Sequence, residues 1–318
     1  MAAQPSNPRP IIIDTDPGQD DAIAILLALA SEEFHLLGIT VVAGNVPLAL
    51  TEQNARKVCE LAGRREVKVF AGCARPLVRP LVTAENVHGK TGLDGPDLPA
   101  PAMPLQERHA VDWIVDTLRE APAGTITLCT LGPLTNIATA LIKAPDIAPR
   151  IAEIVMMGGG FFEGGNTTPA AEFNVYVDPH AAQVVFTSGV KLTMHPLDVT
   201  HKALMSKAWI DSLRALGTRT GAAAAAMLDF YERFDMEKYG EAGGPLHDPC
   251  VLAYLLKPEL FGGKDCSVQV ETGSELTMGM TVVDWWNVTP APPNCRVINQ
   301  IDAAGFYDLI GERLARLP

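Results

Sequence analysis

Residues 11–30 read IIIDTDPGQDDAIAILLALA, a β-type run, a turn at Pro17-Gly18 and an apolar helical stretch opened by acidic residues. Four aspartates, Asp14, Asp16, Asp20 and Asp21, fall within eight positions. Strand residues i and i+2 share a face, so Asp14 and Asp16 leave the strand pointing the same way. Two carboxylates about 5 Å apart repel by roughly 3 kcal/mol at an effective dielectric of 20. Helix capping and the macrodipole accommodate one or two acidic residues at such a place. A hard cation with oxygen ligands is the natural remedy for the rest.

Outward from this stretch, short β-type runs alternate with helical ones. PIIID is followed by HLLGITVVAGN, VKVFAG, TITLCTLG, IAEIVMMGGG and VKLTMHPLD, with helices expected over roughly 48–62, 106–120, 134–143 and 179–188. Continuous apolar strands with helical crossovers predict an α/β fold with a mainly parallel sheet covered on both faces. In such folds sites lie beyond the carboxyl ends of the strands. The polar and glycine-rich segments DTDPGQDD, AGN, CTLGPLTN, MGGGFFEGGNTTPAAEFN and HPLD each follow a strand, as that rule requires. Residues 72–104 form a long Gly/Pro-rich loop, a length that in compact domains often marks function. Residues 206–256 read as largely helical, interrupted by GEAGGPLHDP. With no composition break and no internal repeat, one domain is expected over 11–318, after a short disordered tail, MAAQPSNPRP.

The 318 residues suffice for a large core, and 47% apolar against 19% charged residues is a globular composition. A net charge of −12 without a basic patch argues against a nucleic-acid groove. Arg64, Arg65 and Lys68 are too scattered to make one. The sequence offers no signal segment and no apolar run long enough for a membrane span. Six cysteines without a CxxC pair predict reduced thiols in a cytoplasmic protein, with Cys129 in the core.

Two other acidic motifs fit less well. In an EF-hand register Gly18 falls at loop position 5 and Ile25 replaces the bidentate Glu at position 12. A haloacid-dehalogenase-type phosphatase also opens with Asp-x-Asp after a strand, but it needs a later acidic pair. Here the pair comes four residues on, and no later Asp-Asp occurs. Together DTDPGQDD, VVAGN, HGKTGLDG, LGPLTNIA, MGGG…GNTTPAAEFNVYVDPHAA and HDPC resemble, in order, the nucleoside hydrolase family, which cleaves the N-glycosidic bond of ribonucleosides. The two histidines His88 and His247 resemble its inosine–uridine-preferring branch.

That resemblance implies a Rossmann-like core, a Ca²⁺ cofactor and a metal-bound water as nucleophile. It assigns Asp16, Asp21, Asp248 and the Leu131 carbonyl as ligands, which with a water and two ribose hydroxyls suits the high coordination number of Ca²⁺. Cleavage would pass through an oxocarbenium-like transition state. Asp16 resembles the general base; Asp20, Asn45, Asn166, Glu172 and Asn174 match ribose-holding positions, and Asp14 would orient its neighbours. Turn or loop roles for Asn45, Glu172 and Asn174 are the simpler alternatives. His247 is expected to protonate the leaving base, since an unperturbed histidine titrates near pH 6.5. His88, Tyr231 and Tyr239, with Phe230 and Asp235, are expected on the base side, and His195 and His201 in structural roles. The family pattern further implies a homodimer or homotetramer. A catalytically silent Ca²⁺- or ribose-binding relative would not need the complete set of Asp16, Asp21, Asp248 and His247.

Overall fold

The computed structural model describes residues 8–239 and 243–318, and for 234–239 the backbone alone. Most of the expected N-terminal tail, residues 1–7, lies outside the described residues. Ten strands are described: β1 (Arg9–Thr15), β2 (Phe34–Val41), β3 (Val69–Ala71), β4 (Ile126–Thr130), β5 (Ile151–Met157), β6 (Leu192–His195), β7 (Phe261–Cys266), β8 (Val268–Val270), β9 (Thr281–Val283) and β10 (Cys295–Ile301). Strand β1 thus begins at Arg9, within the stretch expected to be tail.

Eight strands form one sheet in the order β3-β2-β1-β4-β5-β6-β10-β7, and β8 and β9 make a separate antiparallel pair. Only β7, at one edge, runs antiparallel to its neighbour. The chain moves from β1 outward to β3, then returns to β4 on the other side of β1. That reversal is the topological switch point of the Rossmann order, and it opens a crevice between the ends of β1 and β4. Their register pairs Asp14 with Thr130, so the aspartates leave the sheet beside Leu131 and Gly132.

Ile11, Ile12 and Ile13 are fully buried because both sheet faces are covered. The helix Gln19–Leu29 is buried over all eleven residues. A helix without a wet face belongs in the interior, and this one packs against the helices Leu48–Leu61, Arg219–Tyr239 and Pro249–Leu256. The last contact matters most, because it places the N-terminus of Pro249–Leu256 next to that of Gln19–Leu29. The expected helices are present, with the 106–120 element starting at Ala110 behind the His109 cap. Within 72–104 a short helix, Glu85–His88, interrupts the loop. Among the described residues no helix is long and apolar enough to cross a membrane.

Candidate active site

The carboxylates of Asp20, Asp21 and Asp248 converge, each offering an oxygen within 4.8 Å of the others. Asp20 and Asp21 stand in the first turn of their buried helix. Asp248 is the N-cap of Pro249–Leu256, with Pro249 at the first helical position, where a missing N–H costs nothing. Asp248 makes no side-chain cap hydrogen bond, so its carboxylate is turned toward the other two instead. Capping explains only Asp21, whose Oδ2 accepts from Gly18 N at 2.8 Å. Its other oxygen takes the Thr15 hydroxyl.

Asp16 sits beside this group. Its Oδ2 accepts from Asn45 N at 2.7 Å, while Oδ1 is buried and lacks a hydrogen-bond partner. Two glycines make room for it. A Cβ on Gly44 would lie 2.0 Å from Oδ2, and one on Gly132 2.1 Å from Oδ1. Asn45 Nδ2 also bridges the Asp16 carbonyl and Asp21 Oδ2, both at 3.1 Å. Asp14 lies deeper, held by Thr40 and by Asn136 Nδ2 at 2.8 Å, and its Oδ2 is a second buried oxygen without a partner.

Such crowding has an electrostatic signature. Burial, reinforced by Asp21 and Asp20, holds the Asp16 carboxyl well above the usual range. Burial and the charges of Asp20, Asp21 and Asp16 do the same to Asp248. Burial lifts Asp20 to about 7, with Asp21 adding to it, and Asp14 to about 7 against the pull of Thr40 and Asn136. Buried charges need pairing or a metal, and among the described residues no lysine or arginine lines this cavity. An all-oxygen donor set with orphaned, buried oxygens fits a hard cation.

Above this floor is a cavity of about 230 Å³. Asp20, Asn45, Leu131, Asn166, Glu172, Asn174, His88, Tyr231, His247 and Asp248 all line it. The Leu131 carbonyl accepts from Asn174 Nδ2 at 2.7 Å. Glu172 caps the helix Phe173–Val177 and accepts from the backbone N–H groups of Gly159, Asn174 and Val175. Its loop-holding role is therefore present alongside its place in the cavity wall. Burial lifts its carboxyl to about 7 despite those three donors. Asn166 Oδ1 accepts from Phe173 N at 3.0 Å.

On the opposite wall the rings of His88 and Tyr231 stack at 5.7 Å. Phe230 instead carries the Arg233 guanidinium over its ring at 4.1 Å and is absent from the cavity wall. Tyr239 is the last residue of the helix Arg219–Tyr239, and its side chain, like that of Asp235, lies outside the described residues. His195 is buried against Tyr254 and Phe261, a core residue as expected.

Two expectations about histidines change. His201 lines the cavity beside His247, with ring centroids 5.8 Å apart, and its Nδ1 lies 3.3 Å from Glu163 Oε2. It enters from the turn after β6, which also supplies Thr200 to His247 Nδ1 at 2.7 Å. Nor does His247 keep an ordinary titration. Burial, then the neighbouring His201 and His88, push its pKa well below 6.5, so the ring is neutral at pH 7. The sequence also gave no hint of Gly44 and Gly132 as the walls around Asp16, or of Thr83 and Asn86 on the loop that covers the cavity.

A carboxylate floor at the switch point of a Rossmann-ordered sheet, roofed by aromatic and amide side chains, defines an α/β enzyme for a small polar substrate. Over residues 11–308 the chain matches the family described as inosine-uridine preferring nucleoside hydrolase, and it belongs to that family. It is therefore a nucleoside hydrolase. Among its relatives, an uncharacterized protein of Schizosaccharomyces pombe is 54% identical, covering 97% of this chain and 99% of the relative. The pyrimidine-specific ribonucleoside hydrolase RihA of Photobacterium profundum is 47% identical, covering 96% and 99%. The solved purine-preferring ribonucleoside hydrolase from Gardnerella vaginalis superposes with a TM-score of 0.91 at 32% identity, covering 96% and 98%.

Proposed function

We propose that this enzyme hydrolyses ribonucleosides, pyrimidine ones fastest, to free base and ribose, with Ca²⁺ as cofactor. The observation that carries the metal is the convergence of Asp20, Asp21 and Asp248 beneath the cavity, beside the unpartnered Asp16 oxygen. Asp16, Asp21, Asp248 and the Leu131 carbonyl would hold the ion, with Asp20 close enough to join them. Ca²⁺ bound there would make a water molecule more acidic and bind ribose hydroxyls.

The remaining chemistry falls to side chains. Asp16 Oδ1 takes the proton of the attacking water, while Asn45 N fixes the other oxygen of the same carboxylate. Asp20, Asn45, Asn166, Glu172 and Asn174 hold the ribose hydroxyls, and their oxygens favour the positive charge that develops on the sugar. Asp14 braces the strand end from below. The neutral His247 donates a hydrogen bond to the departing base from the nitrogen that Thr200 does not occupy, stabilising the negative charge that the base takes up until water protonates it. His88 and Tyr231 form the base-side wall. A single domain over 11–318 carries these groups, and six unpaired cysteines support a reducing, cytoplasmic setting. The family pattern supports a homodimer or homotetramer.

The pyrimidine preference rests on 47% identity to a hydrolase named pyrimidine-specific, against 32% to one named purine-preferring. Initial rates on uridine, cytidine, inosine and adenosine, scored for free base and ribose, test it. A higher kcat/KM on inosine than on uridine would reverse the preference. No ribose from any of the four would overturn the reading.

A further inference from the structure

Gln19 is the one residue of DTDPGQDD for which the carboxylate argument has no use, yet it is fully buried. Its Nε2 donates to the carbonyls of His88 at 2.9 Å and Asp94 at 3.1 Å. Carbonyls only accept, so the amide orientation is fixed and its oxygen must face the other way. That oxygen, Oε1, lies 2.8 Å from His88 Nδ1. An amide oxygen cannot donate either, so the hydrogen of this contact belongs to Nδ1.

The surroundings lock the ring in place. A Cβ on Gly18 would lie 2.4 Å from Nδ1, so only glycine lets the imidazole approach. Asn54 Nδ2 ties the same two segments a second time, donating to Pro17 O at 3.1 Å and Thr91 O at 2.7 Å. The segment over the cavity is thereby fastened to the aspartate loop at His88, Thr91 and Asp94. Burial pushes the His88 pKa down to about 3, which agrees with a ring carrying a single hydrogen. With that hydrogen on Nδ1, the Nε2 lone pair is open on the ring that lines the cavity and stacks on Tyr231.

We propose that Gln19 is a positioning residue for base recognition, holding His88 in the Nδ1–H tautomer so that Nε2 accepts a hydrogen bond from an N–H on the edge of the substrate base. This rests on the nucleoside hydrolase reading of the cavity. It gives His88 and His247 opposite duties, since His88 can only accept where His247 donates. It also favours leaving groups with a ring N–H or an exocyclic amine over those with no donor.

The test uses full-length, Ca²⁺-loaded enzyme labelled with ¹⁵N at histidine. Long-range ¹H–¹⁵N correlations distinguish the two neutral tautomers from the imidazolium, and the His88 signals are those lost in His88→Asn. The expected pattern is Nδ1–H with an unprotonated Nε2, unchanged from pH 6 to 8. An Nε2–H or doubly protonated His88 overturns the proposal. Gln19→Met keeps the volume and removes both hydrogen-bonding ends. It should shift the ring toward Nε2–H, and it should lose at least tenfold more kcat/KM on uridine than on p-nitrophenyl riboside, whose leaving group has no N–H. Equal losses on both substrates would make Gln19 a structural strap and overturn its part in recognition. Should wild-type enzyme release no ribose from uridine, the functional reading fails, while the wild-type spectrum still decides the tautomer.

Discussion

Stripped of metal, this protein should lose stability as the pH rises through neutrality. The carboxyls of Asp16 and Asp248 are held well above the usual range, while in the unfolded chain they ionise near 3.8. Between those limits the native state binds more protons than the unfolded state, so the slope of stability with pH is negative. Buried histidines act in the opposite sense, but lower down. His88 and His195 are pushed to about 3, so their contribution rises with pH through the unfolded value of 6.5 and flattens about one unit above it. Buried cysteines are pushed up from 9.0 and enter only at higher pH. Across 6.5–7.5 each buried histidine still adds only about 0.35 kcal/mol, so the carboxylates dominate the interval. Asp14, Asp20 and Glu172, lifted to about 7, lose their protons across the same interval and act in the same sense, and each extra proton on the native state is worth about 1.4 kcal/mol per pH unit. At about 2.1 cal/mol/K per residue, a chain of this length shifts Tm by about 1.5 °C per kcal/mol, so each such proton should cost chelated protein about 2 °C between pH 6.5 and 7.5. Saturating Ca²⁺ keeps these carboxylates ionised in the native state, which should flatten the slope and make the Ca²⁺-induced gain in Tm larger at pH 7.5 than at 6.5. Calorimetry on chelated and Ca²⁺-loaded samples measures both quantities. A flat or rising Tm in the chelated samples would refute the reasoning.

Three further outcomes follow from the site. Asp16→Ala removes a metal ligand and the proton acceptor together and should abolish nearly all turnover; retention of a tenth of kcat would contradict that double role. Uridine should exceed 2′-deoxyuridine by roughly 10⁴ in kcat/KM, because the missing hydroxyl strands buried polar groups, and comparable values would contradict the ribose clamp. His247→Ala should lose on the order of 10² in kcat on inosine, whose departing base needs the hydrogen bond to carry its charge, and far less on p-nitrophenyl riboside, whose leaving group is a stable anion by itself. Equal losses, with Ca²⁺ content intact, would reduce His247 to shaping the cavity.

The parts of this molecule legible in its sequence are those with local causes. Strands buried on both faces carry unbroken apolar runs, so β1, β2, β4, β5 and β6 announce themselves. The C-terminal β7, FGGKDC, does not, because an antiparallel edge strand tolerates two glycines and two charges. The aspartate motif is legible because four like charges in one turn demand a remedy. Its completion by Asp248 needed the family pattern, since only the packing of two helices brings those termini together.

What escaped the sequence is a matter of partnership and solvent. His201 looks like any histidine at the end of a short helix until the turn after β6 sets it beside His247. The charge state of His247 depends on an enclosure that no spacing encodes. Gln19 stands in the most conspicuous motif of the chain, yet its role depends on three partners, His88 Nδ1 and the carbonyls of His88 and Asp94. Those partners also explain why the aspartate loop and the covering segment belong together. A cation held by those carboxylates would fix the loop, and Gln19 and Asn54 tie the loop to the segment that carries His88. The charge collected at the end of β1 would thus organise both halves of the cavity, its carboxylate floor directly and its His88 wall through two buried amides.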